Sequence, residues 1–462
     1  MTLRAAPNAP GIGSPVEAPG RIIYDGLNPT LDHGTGIASY TQLLTRIART
    51  LGYDVGVVYA TAFAPDADPL LQEVLFFDQM RTPHQLDRKT TLSRALNTII
   101  DRVRYDFTVK PLALRFGDAV IYREYADSLA EQDRAFGSRD LFERANTFFD
   151  HTGRFINLSF DPAPDVLHCT YPEPLIVRSA RNIYTIHELI KLRKPGGNLD
   201  SRKRTFRLFK KIADTADHIV TVSETSKRDI IHTLKVDEHR VTNTYQAVAF
   251  PQKYLERSEQ AVANYLDGFY GLEMHGYLLF FGALEPKKAV DHLIEAFLSS
   301  NIGIPLVLVA APGRRNPDEL NMPNRLGVPG EPQARIGDRN AAGARVRHLN
   351  QAGLSAYVSL IRGARAVVFP SPCGGFALPV LEAMMLGTPV VSVTSEALIE
   401  ISGDAVLFVD PDDVEDMARA LATIVNDSDL RGELSRRGID QAAKFSLARY
   451  RERLRSLYAS LA

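Results

Sequence analysis

Short runs of β-branched and aromatic residues alternate along this chain with stretches whose apolar positions recur at helical spacing. The first such unit is a strand over Arg21–Asp25, a glycine-bearing loop at His33-Gly34-Thr35-Gly36 and a helix over Ile37–Leu51. A strand over Asp54–Tyr59 follows Gly52. Asp165–His168, Asn182–Ile186 and His218–Val222 continue the series as strands. A second series opens near Tyr277 with Leu278–Gly282. It runs through Pro305–Ala310, Arg345–Leu349, Ala364–Phe369, Pro389–Val393 and Ala405–Val409. Alternation of this kind predicts an α/β chain with two doubly wound, mostly parallel sheets.

Between the two series, residues 248–276 read as a linker, and Leu430–Leu461 reads as charged helix. Residues 1–19, rich in Ala, Pro and Gly, read as disordered. Residues 77–150 read as added helices, and 311–344, rich in Gly, Pro, Asn and Arg, as an irregular insertion.

The chain has 462 residues, 45% of them apolar, enough for more than one core. A formal net charge of −1 lacks the basic excess of a nucleic-acid binder. Cys169 and Cys373, far apart, fit a reducing compartment and form neither a disulfide framework nor a metal cluster. No signal-like leader opens the chain, and no uncharged apolar run reaches the roughly 18 residues that span a bilayer. The expectation is a soluble cytoplasmic protein. One stretch qualifies this: Arg81, Arg88, Lys89, Arg94, Arg102, Arg104, Lys110 and Arg115 surround Leu92, Leu96, Ile99 and Ile100. Such a face could rest on anionic lipid at a membrane surface, or be a solvated face over an ordinary core stripe. Both readings stand.

Three clusters carry chemistry. In the first, Gly374 and Gly375 lead through Phe376, Ala377 and Leu378 to Pro379, which suits a first helical turn. The helix Val380–Leu386 stops at Gly387 in the C′ position. A glycine turn feeding a helix N-terminus is an anion site, and Glu382 is the sole charge in a long apolar run. In the second, the strand ending at Gly282 leads to Lys287 and Lys288 at a helix start. Cations oppose the dipole there unless an anion is bound. In the third, His187 follows the strand end Thr185-Ile186, the edge where open α/β sheets bind ligands. Each also has a structural reading: a common turn, solvated lysines, a core histidine.

Together the clusters resemble the retaining glycosyltransferases of family 4. Residues 370–390 resemble the family's PS-x-x-E-G-F-G-L-P-x-L-E-A-M-x-x-G-x-P-V string, and Phe281–Lys288 its G-x-L-E-P-R-K-N string. Thr185–Pro195 is similar to T-I-H-D-L-I-P-L-R-x-x-P, with Glu188 in place of aspartate. Gly34, Gly36, Ile37 and Tyr40 resemble the G-x-G-I-x-x-Y turn, and Val222–Lys227 the V-S-x-x-S-K/R strand end, whose serines are read here as helix caps. Ala397–Ala405 also matches, with Glu400 and Gly403 shaping a loop.

The resemblance implies the GT-B arrangement, two Rossmann-like domains facing across a cleft. The N-terminal, acceptor domain would cover 20–250 with its insertion at 77–150, and the nucleotide-sugar donor domain 274–440. A terminal helix at 441–462 would return toward the first. It implies a retaining hexosyl transfer, GDP-mannose the first guess, to a saccharide or lipid-linked saccharide of bacterial surface polysaccharide. No metal or other cofactor is implied, and the membrane contact would be peripheral at the inner face. His187, Lys288 and Glu382 would be the catalytic set. Gly34, Gly36, Gly282, Lys287, Gly374, Gly375, Phe376, Ala377 and Leu378 would complete the donor site. One position departs: the family's first glutamate falls on Gly374, and no acid lies between Arg365 and Glu382. Two alternatives follow, a silenced nucleotide-sugar-binding protein and a GT-B-shaped nucleotide-sugar epimerase.

Overall fold

The computed structural model describes residues 19–26, 36–63, 68–81, 107–117, 131–193, 199–282, 289–309, 345–349, 353–372 and 374–461. The expectations for 1–18, Gly34, the basic stretch 82–106, Lys287, Lys288, 311–344 and Cys373 lie outside the described residues. Two compact units are present: Met1–Thr185 with Thr215–His218 and Tyr458–Ala462, and Ile186–Asp214 with Ile219–Leu457.

The first unit carries β1 (Arg21–Asp25), β2 (Asp54–Thr61), β3 (Thr108–Val109), β4 (Leu112–Leu114), β5 (Arg134–Arg139), β6 (Ile156–Leu158), β7 (Val166–Cys169), β8 (Leu175–Ile176) and β9 (Arg181–Thr185). Its main sheet runs β9-β7-β1-β2-β5-β4, and β3-β6-β8 form a small separate one. Ile22 pairs with Val55 on one side of β1, and Tyr24 with His168 on the other, both parallel. Among the described strands of this unit, β4 runs antiparallel against β5 and the other pairings are parallel. The core strands are apolar on both faces: Ile22, Ile23, Val58 and Leu167 are fully buried, as parallel sheets covered by helices require. The expected helical insertion at 77–150 needs correcting. Its described ends are helical, in helix Pro69–Arg81 and helix Leu141–Thr152, yet Thr108–Val109 and Leu112–Leu114 are strands and Arg134–Arg139 pairs with β2 as a strand. The sequence RAFGSR is too short and too mixed to announce a strand, and pairing on both edges creates it.

A buried polar chain runs through this unit. The Tyr40 hydroxyl lies 3.1 Å from Thr185 Oγ1, which is 2.9 Å from His168 Nε2. His168 Nδ1 meets the Tyr458 hydroxyl at 2.9 Å, and that hydroxyl meets Tyr24 Oη at 2.7 Å. Every member is buried, so each polar group needs the next.

The second unit carries β10 (His218–Thr221, all but its first residue), β11 (Val241–Asn243), β12 (Leu278–Phe281), β13 (Leu306–Val309), β14 (Val346–Leu349), β15 (Ala366–Phe369), β16 (Val390–Val393) and β17 (Leu407–Val409). β10 and β11 pair in parallel. The other six form a parallel sheet in the order β14-β13-β12-β15-β16-β17. The order reverses between β12 and β15, and such a switch point opens a crevice beyond the strand carboxyl ends. The loops leaving β12 and β15 are the ones that carry Gly282 and Gly374-Gly375.

The expected linker is packed structure. Helix Glu259–Tyr270 buries Val262 and Leu266, and a Cβ on Gly363 would come within 2.1 Å of Leu266 Cδ1. Contacts described below tie 187 and 223–245 to the later sequence.

Candidate functional site

Helix Leu378–Met385 begins two residues before the expected start, with Ala377 at its N-cap in the left-handed region, φ 52°. Its end follows the expected glycine stop. Gly387, φ 75°, donates to Met384 O at 3.0 Å and Thr388 N donates to Ala383 O at 2.9 Å, the paired bonds of a Schellman turn.

The glycine pair before this helix is asymmetric. A Cβ on Gly374 would meet only Ala377 N, at 3.8 Å. One on Gly375 would lie 2.3 Å from the His187 carbonyl oxygen and 3.3 Å from Glu188 Cβ. Glycine at 375 therefore lets the loop press directly on the backbone of the His187-Glu188 segment. That segment is pinned from behind: Ser226 Oγ donates to His187 O at 3.0 Å, and Ser226 N is capped by Ser223 Oγ at 3.0 Å. Ser223 is thus the N-cap of helix Glu224–Leu234, the role read from sequence.

Phe376 is buried, with Phe445 5.7 Å and Tyr245 6.4 Å away between ring centroids. Its side chain anchors the loop, so what it offers a ligand is its backbone. Glu400 fastens the same unit elsewhere. Its carboxylate accepts from Glu224 N at 2.6 Å, Thr225 N at 2.9 Å and Thr225 Oγ1 at 2.8 Å, an anion seated on a helix N-terminus.

Glu382 is half-buried on the helix that the glycine loop starts. The Tyr357 hydroxyl donates to its Oε2 at 2.6 Å. Burial pushes the Glu382 carboxyl up to about 7, against the pull of the Tyr357 hydrogen bond. Burial, and then the neighbouring carboxylate, push the Tyr357 hydroxyl well above its ordinary range, which keeps it a donor. The Tyr357 ring stands edge-on to Phe281, centroids 4.9 Å apart, at the end of β12. Gly282 follows with φ 146°, a conformation reserved for glycine. Tyr357 carried no motif signal in the sequence. It sits on helix Leu354–Gly363 among Val358, Leu360 and Ile361, where an aromatic reads as core.

The structure thus brings His187, Gly375 and Phe376 together, and links Glu382 to the strand end before Gly282. Gly36 opens helix Gly36–Thr50 in the other unit. A cavity of about 840 Å³ lies at the start of β1, β7 and β9 and is lined by Arg21, Asp165, Arg181, Asn182 and Tyr458. It touches none of these clusters and sits at the strand edge opposite to the one that binds ligands in such folds. Among the described residues no three His, Cys, Asp or Glu side chains gather as a metal site.

Comparison with known proteins agrees with the geometry. Residues 271–441 match the family model Glycosyl transferases group 1, and 119–248 match Glycosyltransferase Family 4. O-antigen chain mannosyltransferase B of Escherichia coli is 29% identical over 58% of this chain and 68% of its own length. The serotype-specific mannosyltransferase WbdA of the same organism is 27% identical over 58% of this chain, a match that takes in 32% of that longer protein. In fold, HepE of Anabaena, solved with UDP and glucose, covers 96% of this chain and 100% of its own at 13% identity, TM-score 0.61. The fold is GT-B. With both domain models matched in chain order, the chain belongs to the glycosyltransferases, a family 4 domain preceding a group 1 domain.

Proposed function

We propose that this protein transfers a hexosyl group, mannose first among candidates, from a nucleotide-sugar to a saccharide or lipid-linked saccharide in bacterial surface polysaccharide synthesis, retaining the anomeric configuration. One observation carries the reading. The glycine loop at a helix N-terminus is pressed onto His187-Glu188, and the Glu382 on that helix is joined through Tyr357 to the strand end at Gly282. Two mannosyltransferase relatives support the sugar, and a neighbour in fold solved with UDP and glucose supports the donor class.

In the proposed reaction the bond from the anomeric carbon to the diphosphate breaks as the acceptor oxygen attacks the same face. The acceptor's proton passes to the leaving diphosphate. Negative charge grows on that diphosphate, and the amides of Gly375 and Phe376 with Lys287 and Lys288 would meet it. His187 would contact the sugar and Glu382 the ribose. No metal ion enters the proposal. A lipid-linked acceptor would bring a cytoplasmic protein to the inner membrane face; no helix among the described residues is long and apolar enough to cross a membrane.

Gly374 favours a second reading, a silenced protein that binds the donor without turning it over. Calorimetric titration with GDP, UDP, GDP-mannose and UDP-glucose, alongside Glu382→Ala, separates the two. Binding of one nucleotide class, lost in Glu382→Ala, with product of retained configuration seen by NMR, is the expected result. Binding with neither transfer nor hydrolysis supports the silenced protein. Absence of binding to all four ligands overturns both.

A further inference from the structure

We propose that Tyr357 is the positioning residue of the donor site: its hydroxyl holds Oε2 of Glu382 and thereby aims Oε1 at the hydroxyls of the donor nucleotide's ribose. The inference rests on the reading of Glu382 as the ribose ligand. Its basis is geometric. The Tyr357 to Glu382 hydrogen bond is 2.6 Å, short as bonds to a carboxylate are, and among the described residues it is the one Glu382 makes through its side chain. The ring that carries this hydroxyl is itself fixed, edge-on to Phe281 at 82°. Tyr357 is therefore braced at one end by the strand that leads to Gly282 and holds Glu382 at the other.

The chemistry requires such a brace. A glutamate has three rotatable side-chain bonds, and an unheld carboxylate in a site of low polarity swings and takes up a proton. An ionised carboxylate accepts hydrogen bonds on both oxygens, so it can keep Tyr357 on one and grip a ribose hydroxyl with the other. A protonated one must spend its own hydrogen as donor. Burial holds Tyr357 protonated, so its hydroxyl always has a hydrogen to give.

Among the described residues, the neighbouring elements named next bring no rival charge into this pair. Helix Ser428–Ala442 presents Ser435, Gly438 and Ile439 to the segment that holds Glu382, through contacts at Gly387 and Met384. Glu400, on helix Glu396–Ser402, is engaged with the amides of Glu224 and Thr225. β15 and β16 contribute Val367, Val368, Val390 and Val391, all apolar and buried.

The test is Tyr357→Phe, which keeps the ring against Phe281 and removes only the hydroxyl. Protein labelled with carboxyl-¹³C glutamate is titrated by NMR, with the Glu382 resonance identified by its loss in Glu382→Gln. In Tyr357→Phe the Glu382 midpoint is expected to move upward. GDP or UDP, whichever the wild type binds, is expected to bind roughly tenfold more weakly at neutral pH. Its affinity should fall away at a higher pH than in the wild type as acid is added. A purely structural role would lower the melting temperature and leave that pH profile in place. An unmoved carboxyl midpoint, or wild-type nucleotide affinity across the neutral range, overturns the proposal. Should the wild type bind neither nucleotide, the donor-site reading and the ribose role fail together. The carboxyl titration would still decide whether Tyr357 holds Glu382.

Discussion

The Cβ that Gly375 lacks would stand 2.3 Å from the carbonyl oxygen of His187. No side chain fits there without moving one backbone or the other. Beside it, Gly374 has open space, its nearest non-neighbour atom 3.8 Å from the Cβ position.

The two glycines should therefore answer the same substitution differently. Gly375→Ala is expected to cost about 1–3 kcal/mol through forced displacement of the loop, and to weaken nucleotide binding with it. Gly374→Ala should stay within about 0.5 kcal/mol of wild type, as open sites do. Urea unfolding of both variants checks the contrast; equal costs would show that the His187 contact does not constrain the loop.

Glu400 neutralises the start of helix Glu224–Leu234 with three hydrogen bonds. Glu400→Ala leaves two amides and a hydroxyl without their acceptor and is expected to lower stability by about 1–2 kcal/mol. Glu400→Gln keeps one acceptor oxygen and should recover part of that loss. Chemical denaturation of the pair distinguishes a charged cap from a contact of no consequence, for which both variants would unfold with the wild type.

Glu382 gives the fold a pH dependence of definite sign. Its carboxyl ionises at about 7 in the folded chain, against an ordinary 4.5, so the folded state binds the extra proton between those values. Stability from this group is full below the lower value and lost as pH rises through the upper one. Glu382→Gln cannot titrate. Relative to wild type it should gain stability between about pH 5 and pH 8, by up to about 3 kcal/mol. Unfolding midpoints measured at both ends test this, and a constant difference would mean that Glu382 titrates normally.

Tyr458 closes the buried polar chain of the first unit by meeting both Tyr24 and His168. Tyr458→Phe keeps the ring and deletes the shared hydroxyl, which should cost about 1–3 kcal/mol. Denaturation monitored by far-UV circular dichroism measures it. A variant as stable as wild type would show that the chain of hydroxyls carries no net energy.

Much of the second unit was legible in local chemistry. Pro379 near a helix start, Gly387 at its C′ position and the valine run Val390–Val393 each mark an element through backbone preference alone, and all three stand where expected. Ser223 as a cap is legible for the same reason. Strand β5 was hidden, because RAFGSR owes its conformation to β2 and β4 on either side and not to its own pattern. Residues 248–276 look like a linker until Leu266 is seen against Gly363.

Local sequence determined the alternation of strands and helices, the glycine turn, the caps and the lone acid at Glu382, because each depends on torsion preferences and hydrogen bonds within a few residues. Only tertiary structure decided that Gly375 meets His187 and that Tyr357 joins Glu382 to Phe281. Those meetings depend on the sheet order reversing between β12 and β15, and on backbones far apart in sequence approaching closer than any side chain allows.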